Sequence, residues 1–201
     1  MSTKAEVFIV ESLDLEDEEN DLHEGHILSK ILAMSGKKCR YYYIRTRTEL
    51  EHVLALFNEC QYRYLHLSCH ASKKRMWTTF DPIPFADLAK MLGGGVGKRR
   101  LFLSACWMGR TELASAVMPK TDFISIMGSD TKIHFADAAV FWADFYRIMF
   151  KLDSKRMNND KLRDTAQALV NIHKLNLKYF AKDNDLENKF KSYLLDPQTQ
   201  T

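Results

Sequence analysis

The sequence predicts an α/β domain in which a mostly parallel sheet is flanked by helices. Short, near-continuous apolar runs alternate along the chain with segments of helical periodicity, and this alternation is typical of such a fold. The 201 residues are 46% hydrophobic and 27% charged, which suits one ordinary globular domain. We therefore expect a single domain over residues 5–196, followed by a short disordered tail over residues 197–201.

Five short apolar runs predict the strands of this sheet. Strands that are apolar on both faces are typical of a parallel sheet covered by helices on each side. The five runs are Glu6–Val10, Arg40–Ile44, Tyr64–Ser68, Arg100–Ser104 and Asp122–Met127.

Apolar residues spaced three and four apart predict the helices between and after these strands. The acidic segment Asp14–Asp21, which follows the first strand, is predicted to be a loop. The predicted helical segments are Ile27–Leu32, Leu50–Phe57, Phe85–Leu92, Glu112–Val117, Phe135–Lys151, a long helix from Asn159 onward, and Asn184–Leu195.

Composition and charge exclude several classes of function. The net charge of +3 is a milder basic excess than DNA-binding domains carry, so direct nucleic-acid binding is not expected. The chain has neither the ~20-residue apolar run of a membrane span nor a signal-peptide pattern, so we expect a cytoplasmic protein. The cysteines lack paired zinc-binding spacing, so we expect no metal and no cofactor; they are Cys39, Cys60, Cys69 and Cys106.

A histidine and a cysteine follow two of the predicted strands. His70 comes just after Tyr64–Ser68, and Cys106 comes just after Arg100–Ser104. The carboxyl ends of parallel strands meet at one edge of a sheet, so adjacent strands would bring both side chains together. A cysteine attacks as the thiolate, and a nearby imidazole promotes its formation. The pattern predicts Cys106 as a nucleophile and His70 as its general base.

Other residues near these motifs have simpler interpretations. Strand alternation predicts that Cys69 points into packing on the opposite face from His70. His66 lies in mid-strand and is interpreted as a core histidine with a satisfied hydrogen bond. His23 and His26 form only a weak metal set. Taken alone, Cys106 could be a buried structural cysteine.

The segment Gly93–Arg99 superficially suggests a phosphate-binding loop. The spacing of its outer glycines is one residue short, and Arg99 stands where a serine or threonine is required. The predicted order is also helix to strand instead of strand to helix. We interpret this segment as a flexible turn.

The His and Cys motifs, taken as a pair, resemble the CHAT branch of the caspase-like peptidases. Three later segments are similar to the strand and helices that follow the cysteine in that family, and the resemblance spans roughly Val7 to Leu169. It implies a caspase-like three-layer sandwich with a mostly parallel sheet flanked by helices. The three segments are Ile124–Ser129, Phe141–Tyr146 and Asp164–Leu169.

The resemblance also implies roles for individual residues. His70 would be the general base, and Cys106 the nucleophile that forms an acyl-enzyme with a protein or peptide substrate. The backbone N–H groups of Cys106 and Ala71 would form the oxyanion hole, although the family usually has glycine at the second position. Ser104 and Asp130 would bind substrate: many relatives carry an acid where this chain has the neutral Ser104, so Asp130 is the candidate charged wall of the specificity pocket.

The function that the resemblance implies is a cysteine endopeptidase. Relatives often act as effectors of antiviral defence or cell death in bacteria, and we expect control by a separate regulatory protein. Two alternatives remain open. One is a catalytically inactive caspase-like interaction module, which Ala71 favours. The other is a receptor for a small ligand or nucleotide signal, which would need a phosphate cradle that the sequence does not display.

Overall fold

The computed structural model describes residues 3–93 and 97–198, which contain nine strands and seven helices. The strands are β1 (Lys4–Ser12), β2 (Cys39–Tyr43), β3 (Tyr62–Cys69), β4 (Arg75–Trp77), β5 (Pro82–Pro84), β6 (Arg99–Ser104), β7 (Phe123–Gly128), β8 (Leu177–Lys182) and β9 (Phe190–Leu195). The helices are α1 (Leu15–Glu19), α2 (Glu24–Met34), α3 (Arg47–Glu59), α4 (Phe85–Met91), α5 (Thr111–Val117), α6 (Phe135–Leu152) and α7 (Asn159–His173).

Seven of the strands form one sheet in the order β2-β1-β3-β6-β7-β8-β9. The first five strands in this order are parallel, whereas β8 and β9 are antiparallel. Strands β4 and β5 form a separate small hairpin. The predicted fold class, a mostly parallel sheet flanked by helices, is confirmed.

Two hydrophobic cores lie on opposite faces of the sheet. One core packs α3, α4 and α5 against the sheet and includes Leu54, Phe57 and Leu113. The other packs α2, α6 and α7 against it and includes Trp142 and Phe145. Each fully buried side chain of this size contributes about 1.5–3 kcal/mol to the stability. The near-continuous apolar strands predict this arrangement because both of their faces are covered.

The predicted helix over Asn184–Leu195 is wrong, since this stretch contains strand β9. Phe190 and Leu194 are four residues apart, as in a helix, but the backbone of β9 pairs along its length with β8. Strand β8 itself was not predicted. The predicted loop over Asp14–Asp21 is also wrong in part, because it contains the short helix α1, which Asp14 caps by accepting a hydrogen bond from the Asp17 N–H.

Two sequence predictions fall partly outside the described residues. These are the turn over Gly93–Arg99, of which residues 94–96 are not described, and the tail over residues 197–201, of which residues 199–201 are not described. The single domain over residues 5–196 stays a prediction. Within the described ranges, none of the helices combines the length and the apolar character needed to span a bilayer.

Candidate active site

His70 and Cys106 lie at the same edge of the sheet, beyond the carboxyl ends of two neighbouring parallel strands. Strand β3 pairs with β6 so that Ser68 is opposite Ser104, and the histidine and cysteine each lie two residues further along. Both residues line one cavity of about 150 Å³. The start of α6 closes this cavity through Phe135, whose ring lies edge-on to His70 at 5.6 Å.

An aspartate from helix α1 binds the imidazole of His70. The Asp17 Oδ2 atom is 2.5 Å from the His70 Nε2 atom, and the Asp14 Oδ2 atom is 3.5 Å from it. The His70 side chain is 37% exposed and Asp17 is 18% exposed, so the pair is only partly screened by water. Because Asp17 occupies Nε2, Nδ1 is the ring nitrogen left to accept a proton from a thiol.

Cys106 is partly exposed, and its sulfur contacts the loop between β7 and α6. The thiol donates to the Ile133 carbonyl at 3.5 Å, and the Ile133 N–H donates to the sulfur at 3.4 Å. The next residue, Trp107, has a φ of 62°, which residues other than glycine rarely adopt. Its N–H donates to the Thr131 carbonyl at 3.1 Å, which helps to hold this strained backbone beside the candidate nucleophile.

Gly109 holds the cysteine loop against the end of β7. Its N–H donates to the Ser129 carbonyl at 2.7 Å, and a Cβ at this position would lie 2.0 Å from the Gly128 carbonyl oxygen. No side chain can yield to relieve that contact, because the opposing atom belongs to the backbone. The Cys106 loop can therefore approach β7 this closely only with glycine at position 109.

We expect Gly109→Ala to lower the free energy of unfolding by about 1–3 kcal/mol or more, because the added methyl group forces the two backbones apart. Urea denaturation would measure the change. Gly36→Ala gives the cost of a positive φ without a clash, about 1 kcal/mol, because Gly36 has a φ of 69° and no atom within 4 Å of its added Cβ. A Gly109→Ala variant as stable as the unaltered protein would contradict the steric explanation.

The two predicted oxyanion-hole donors are available in this geometry. Among the described residues, neither the Ala71 N–H nor the Cys106 N–H donates a hydrogen bond. Ala71 is held by flanking hydrogen bonds from the Trp77 N–H to the His70 carbonyl and from the Ser72 N–H to the Arg75 carbonyl. Its φ is not positive, so this position does not require glycine.

Cys69 borders the same cavity as His70, but it is only 6% exposed and its side chain packs on the opposite face of the sheet. It belongs to the core beneath α3, α4 and α5, and its side chain lies next to Met108. Burial raises the pKa of the Cys69 thiol to about 12. Almost none of it is ionised at neutral pH, so it is a poor nucleophile.

The two residues predicted to bind substrate lie in different places. Ser104 lines the cavity, whereas Asp130 does not. Asp130 instead forms an ion pair with Lys178 of β8 at 3.1 Å. The loop after β7 contributes Lys132 and His134 to the cavity wall in its place.

A buried glutamate lies behind Ser104. Glu24, at the start of α2, is 2% exposed, and its Oε1 atom is 3.5 Å from the His66 Nε2 atom. Burial alone would raise the pKa of Glu24, but the His66 imidazole and the nearby hydroxyls of Ser68 and Ser104 outweigh it and hold the pKa below its ordinary value. Within the described ranges, neither Glu24 oxygen has a hydrogen-bond partner of acceptable geometry.

Sequence reasoning missed both carboxylates near the site. Asp17 lies in an acidic segment that is typical of a solvated loop, and Glu24 is a lone acid at a helix start. His66 is buried as predicted, and its Nδ1 atom is 3.3 Å from the Tyr146 hydroxyl. Among the described residues, the one set of side chains close enough to hold a metal ion is Asp14, Asp17 and His70. A cation there would compete with the contact between Asp17 and the His70 Nε2 atom.

No protein-family model matches the sequence, and no curated protein matches it significantly. Several solved structures have the same fold. The secreted C11 cysteine protease iotapain from Bacteroides thetaiotaomicron matches with a TM-score of 0.61 at 10% identity. Its complex with an irreversible peptide inhibitor matches with a TM-score of 0.60 at 9% identity. The chain has a caspase-like protease fold.

The Arg-specific cysteine proteinase gingipain R (RgpB), from Porphyromonas gingivalis, also shares this fold, with a TM-score of 0.60 at 15% identity. The matches cover 90% of this chain for iotapain, 88% for its inhibitor complex and 96% for gingipain R. The chain spans about two thirds of the C11 protease (66% and 67%) and 46% of gingipain R.

Proposed function

We propose that this protein is a cysteine endopeptidase that cleaves a protein or peptide through Cys106 and His70. The observation that carries the proposal is their position in one cavity at the ends of β3 and β6, with Asp17 on the far nitrogen of the imidazole. A thiol, a base and a group that orients the base are the three parts that this chemistry requires.

The first half of the reaction forms an acyl-enzyme. His70 accepts the thiol proton of Cys106 at Nδ1, and the sulfur attacks the carbonyl carbon of the scissile bond. The N–H groups of Ala71 and Cys106 donate to the resulting oxyanion. The C–N bond then breaks, and the imidazolium gives its proton to the departing amine. Asp17 stabilises the positive charge that His70 carries between these steps.

The second half of the reaction releases the acid product. Water takes the place of the amine beside His70, which removes its proton as it attacks the thioester carbon. The C–S bond breaks, and the proton returns to Cys106. Each bond is made and broken by these residues and water alone.

We propose that Glu24 selects a basic side chain on the substrate. Gingipain R is described as Arg-specific. In this chain Ser104 stands where many relatives carry an acid, and buried Glu24 lies behind it; burial opposes its ionisation, but the His66 imidazole and the Ser68 and Ser104 hydroxyls hold its pKa below the ordinary value. Asp130 is already neutralised by Lys178. A cationic side chain entering past Ser104 would therefore meet the Glu24 carboxylate.

The Glu24→Gln variant is expected to lose about 10- to 150-fold in kcat/KM on substrates with Arg or Lys before the cut, which corresponds to one charge-assisted hydrogen bond of about 1.5–3 kcal/mol. Cleavage of a peptide library would measure this. Adding Ser104→Asp to that variant should restore basic specificity by supplying the acid from β6. Asp130→Asn is the control and should leave the profile unchanged; a shifted profile would assign the pocket to Asp130 instead.

We further propose that the protein is a CHAT-type peptidase of the cytoplasm that acts as a defence or cell-death effector under the control of a partner protein. The support for this is the resemblance of the His and Cys motifs and of the segments that follow them. Activity that appears only when a candidate regulator is added would test the control by a partner.

Labelling with a cysteine-reactive peptide probe tests the central proposal. A peptidyl acyloxymethyl ketone with arginine beside the warhead should modify Cys106 alone, as mapped by mass spectrometry. The label should disappear in Cys106→Ala and persist in Cys69→Ala, and His70→Ala should slow labelling strongly. Labelling at another cysteine, or labelling that does not depend on His70, would contradict the proposed dyad.

A further inference from the structure

A second, larger cavity lies at the opposite edge of the sheet from Cys106, where β3, β6 and β7 begin. This amino-edge groove has a volume of about 970 Å³ and lies between the strand starts and the segment that joins α6 to α7. Its cationic lining residues come from three separate parts of the chain, so no local motif reveals it. They are Arg63, Lys98, Arg100, Arg156 and Lys161.

The charge of the amino-edge groove is strongly positive. Five cationic side chains line it against two carboxylates, Asp153 and Asp160. Both carboxylates already have partners. Asp153 accepts from the N–H groups of Lys155, Arg156 and Asn158 at 3.0–3.3 Å, and Asp160 is 2.6 Å from Arg163, which does not line the groove. Five cations against two carboxylates leave the described lining residues with a net formal charge of +3, and Asp153 also attracts Lys161 within the groove.

Arg100 is the observation that points to a ligand. It lines the groove although it is only 3% exposed, and it donates to the Ser125 hydroxyl at 2.7 Å and to the Tyr179 hydroxyl at 3.4 Å. Its Nε atom has no hydrogen-bond partner among the described residues, which also place no carboxylate within 4.0 Å of its guanidinium. A buried charge without a counter-ion is unfavourable, so an anion in the groove would relieve it.

The chemistry of the groove favours phosphate. Arg100 supplies a guanidinium charge that no carboxylate of the described residues offsets, a group that pairs well with phosphate oxygens, and the exposed Lys98, Arg156 and Lys161 add point charges around it. Among the described lining residues there is no aromatic ring on which a nucleobase could stack. We propose that the amino-edge groove binds a small, multiply charged phosphate compound, independently of the peptidase site.

Isothermal titration of the full chain with sodium tripolyphosphate tests this proposal. We expect one binding site whose Kd rises with salt concentration, as binding through several charges requires. Arg156→Gln/Lys161→Gln should raise the Kd at least tenfold. Lys30→Gln/Lys120→Gln removes the same charge from exposed positions outside the groove and should change the Kd less than twofold.

Several outcomes would overturn the proposal. One is the absence of binding at millimolar tripolyphosphate, and another is an equal rise in Kd in the two double variants. A third is tighter binding of single-stranded oligonucleotides as their length increases, because that result would indicate a nucleic-acid groove. Arg100→Met should abolish the rise in melting temperature that tripolyphosphate produces. If this buried variant does not fold, Arg156→Gln/Lys161→Gln provides the test, because both of its residues are exposed. Binding that is unchanged in Cys106→Ala would separate this site from the peptidase proposal.

Discussion

Cys106→Ala is expected to lower peptide hydrolysis by at least about 10³-fold, because removal of a covalent nucleophile leaves only binding and the oxyanion hole. Cys106 is partly exposed at a loop, so the loss of its sulfur should leave the melting temperature nearly unchanged. Hydrolysis of a fluorogenic peptide and a thermal melt would measure the two effects.

Cys69→Ala is the matched control for this experiment. Cys69 is buried with a pKa raised to about 12, so its loss should leave the rate within about twofold while lowering the stability through a small core cavity. Cys106→Ala should therefore lose activity and keep its stability, whereas Cys69→Ala should keep its activity and lose stability. A protein that keeps its activity without Cys106 but loses it without Cys69 would refute the assignment.

Asp17→Asn should lower kcat by roughly 10²- to 10⁴-fold with little change in KM. The Asp17 carboxylate accepts from His70 Nε2 at 2.5 Å and so directs the free lone pair to Nδ1. An asparagine amide can instead donate to Nε2, which favours the tautomer with its proton on Nδ1, where it cannot accept the thiol proton. Steady-state kinetics on a peptide substrate would measure this loss.

Asp14→Asn separates the orienting role of Asp17 from a general effect of negative charge. Asp14 is 3.5 Å from the same nitrogen and 57% exposed, so its neutralisation should change kcat less than about threefold. Similar losses in the two variants would show that the acidic segment acts only through its overall charge. A loss in neither variant would leave His70 and Cys106 as a dyad without a third member.

The parallel part of the sheet could be predicted because its strands are apolar on both faces. The antiparallel strands β8 and β9 could not, since β9 lies at the sheet edge and half of its residues are exposed. Its apolar residues at positions 190 and 194 have helical spacing, and only pairing with β8 makes the segment a strand. Local sequence pattern does not contain that information.

In the candidate site, too, the sequence predicts some features and leaves others unpredicted. His70 and Cys106 could be placed together because both follow apolar strands with a helical connection between them. Asp17 could not, because nothing in an acidic run indicates which carboxylate turns toward a histidine 53 residues away. Glu24 is buried because α2 packs against α6 and the sheet, which the local sequence pattern does not reveal. Strand ends are visible in sequence, whereas long-range polar partners are not.

The weak attachment of helix α1 to the rest of the domain affects how this protein would lose activity on heating. None of its five residues is buried, and it is tied to the body mainly through Glu18, which accepts from Tyr43 and from Arg45. The Arg45–Glu18 ion pair is partly exposed, with 52% of the Arg45 side chain in solvent, and a pair of this kind contributes only about 0–1 kcal/mol. Local unfolding of α1 would remove Asp17 from the imidazole while both cores stay packed. Heat inactivation should therefore begin below the global melting transition, and should reverse on cooling.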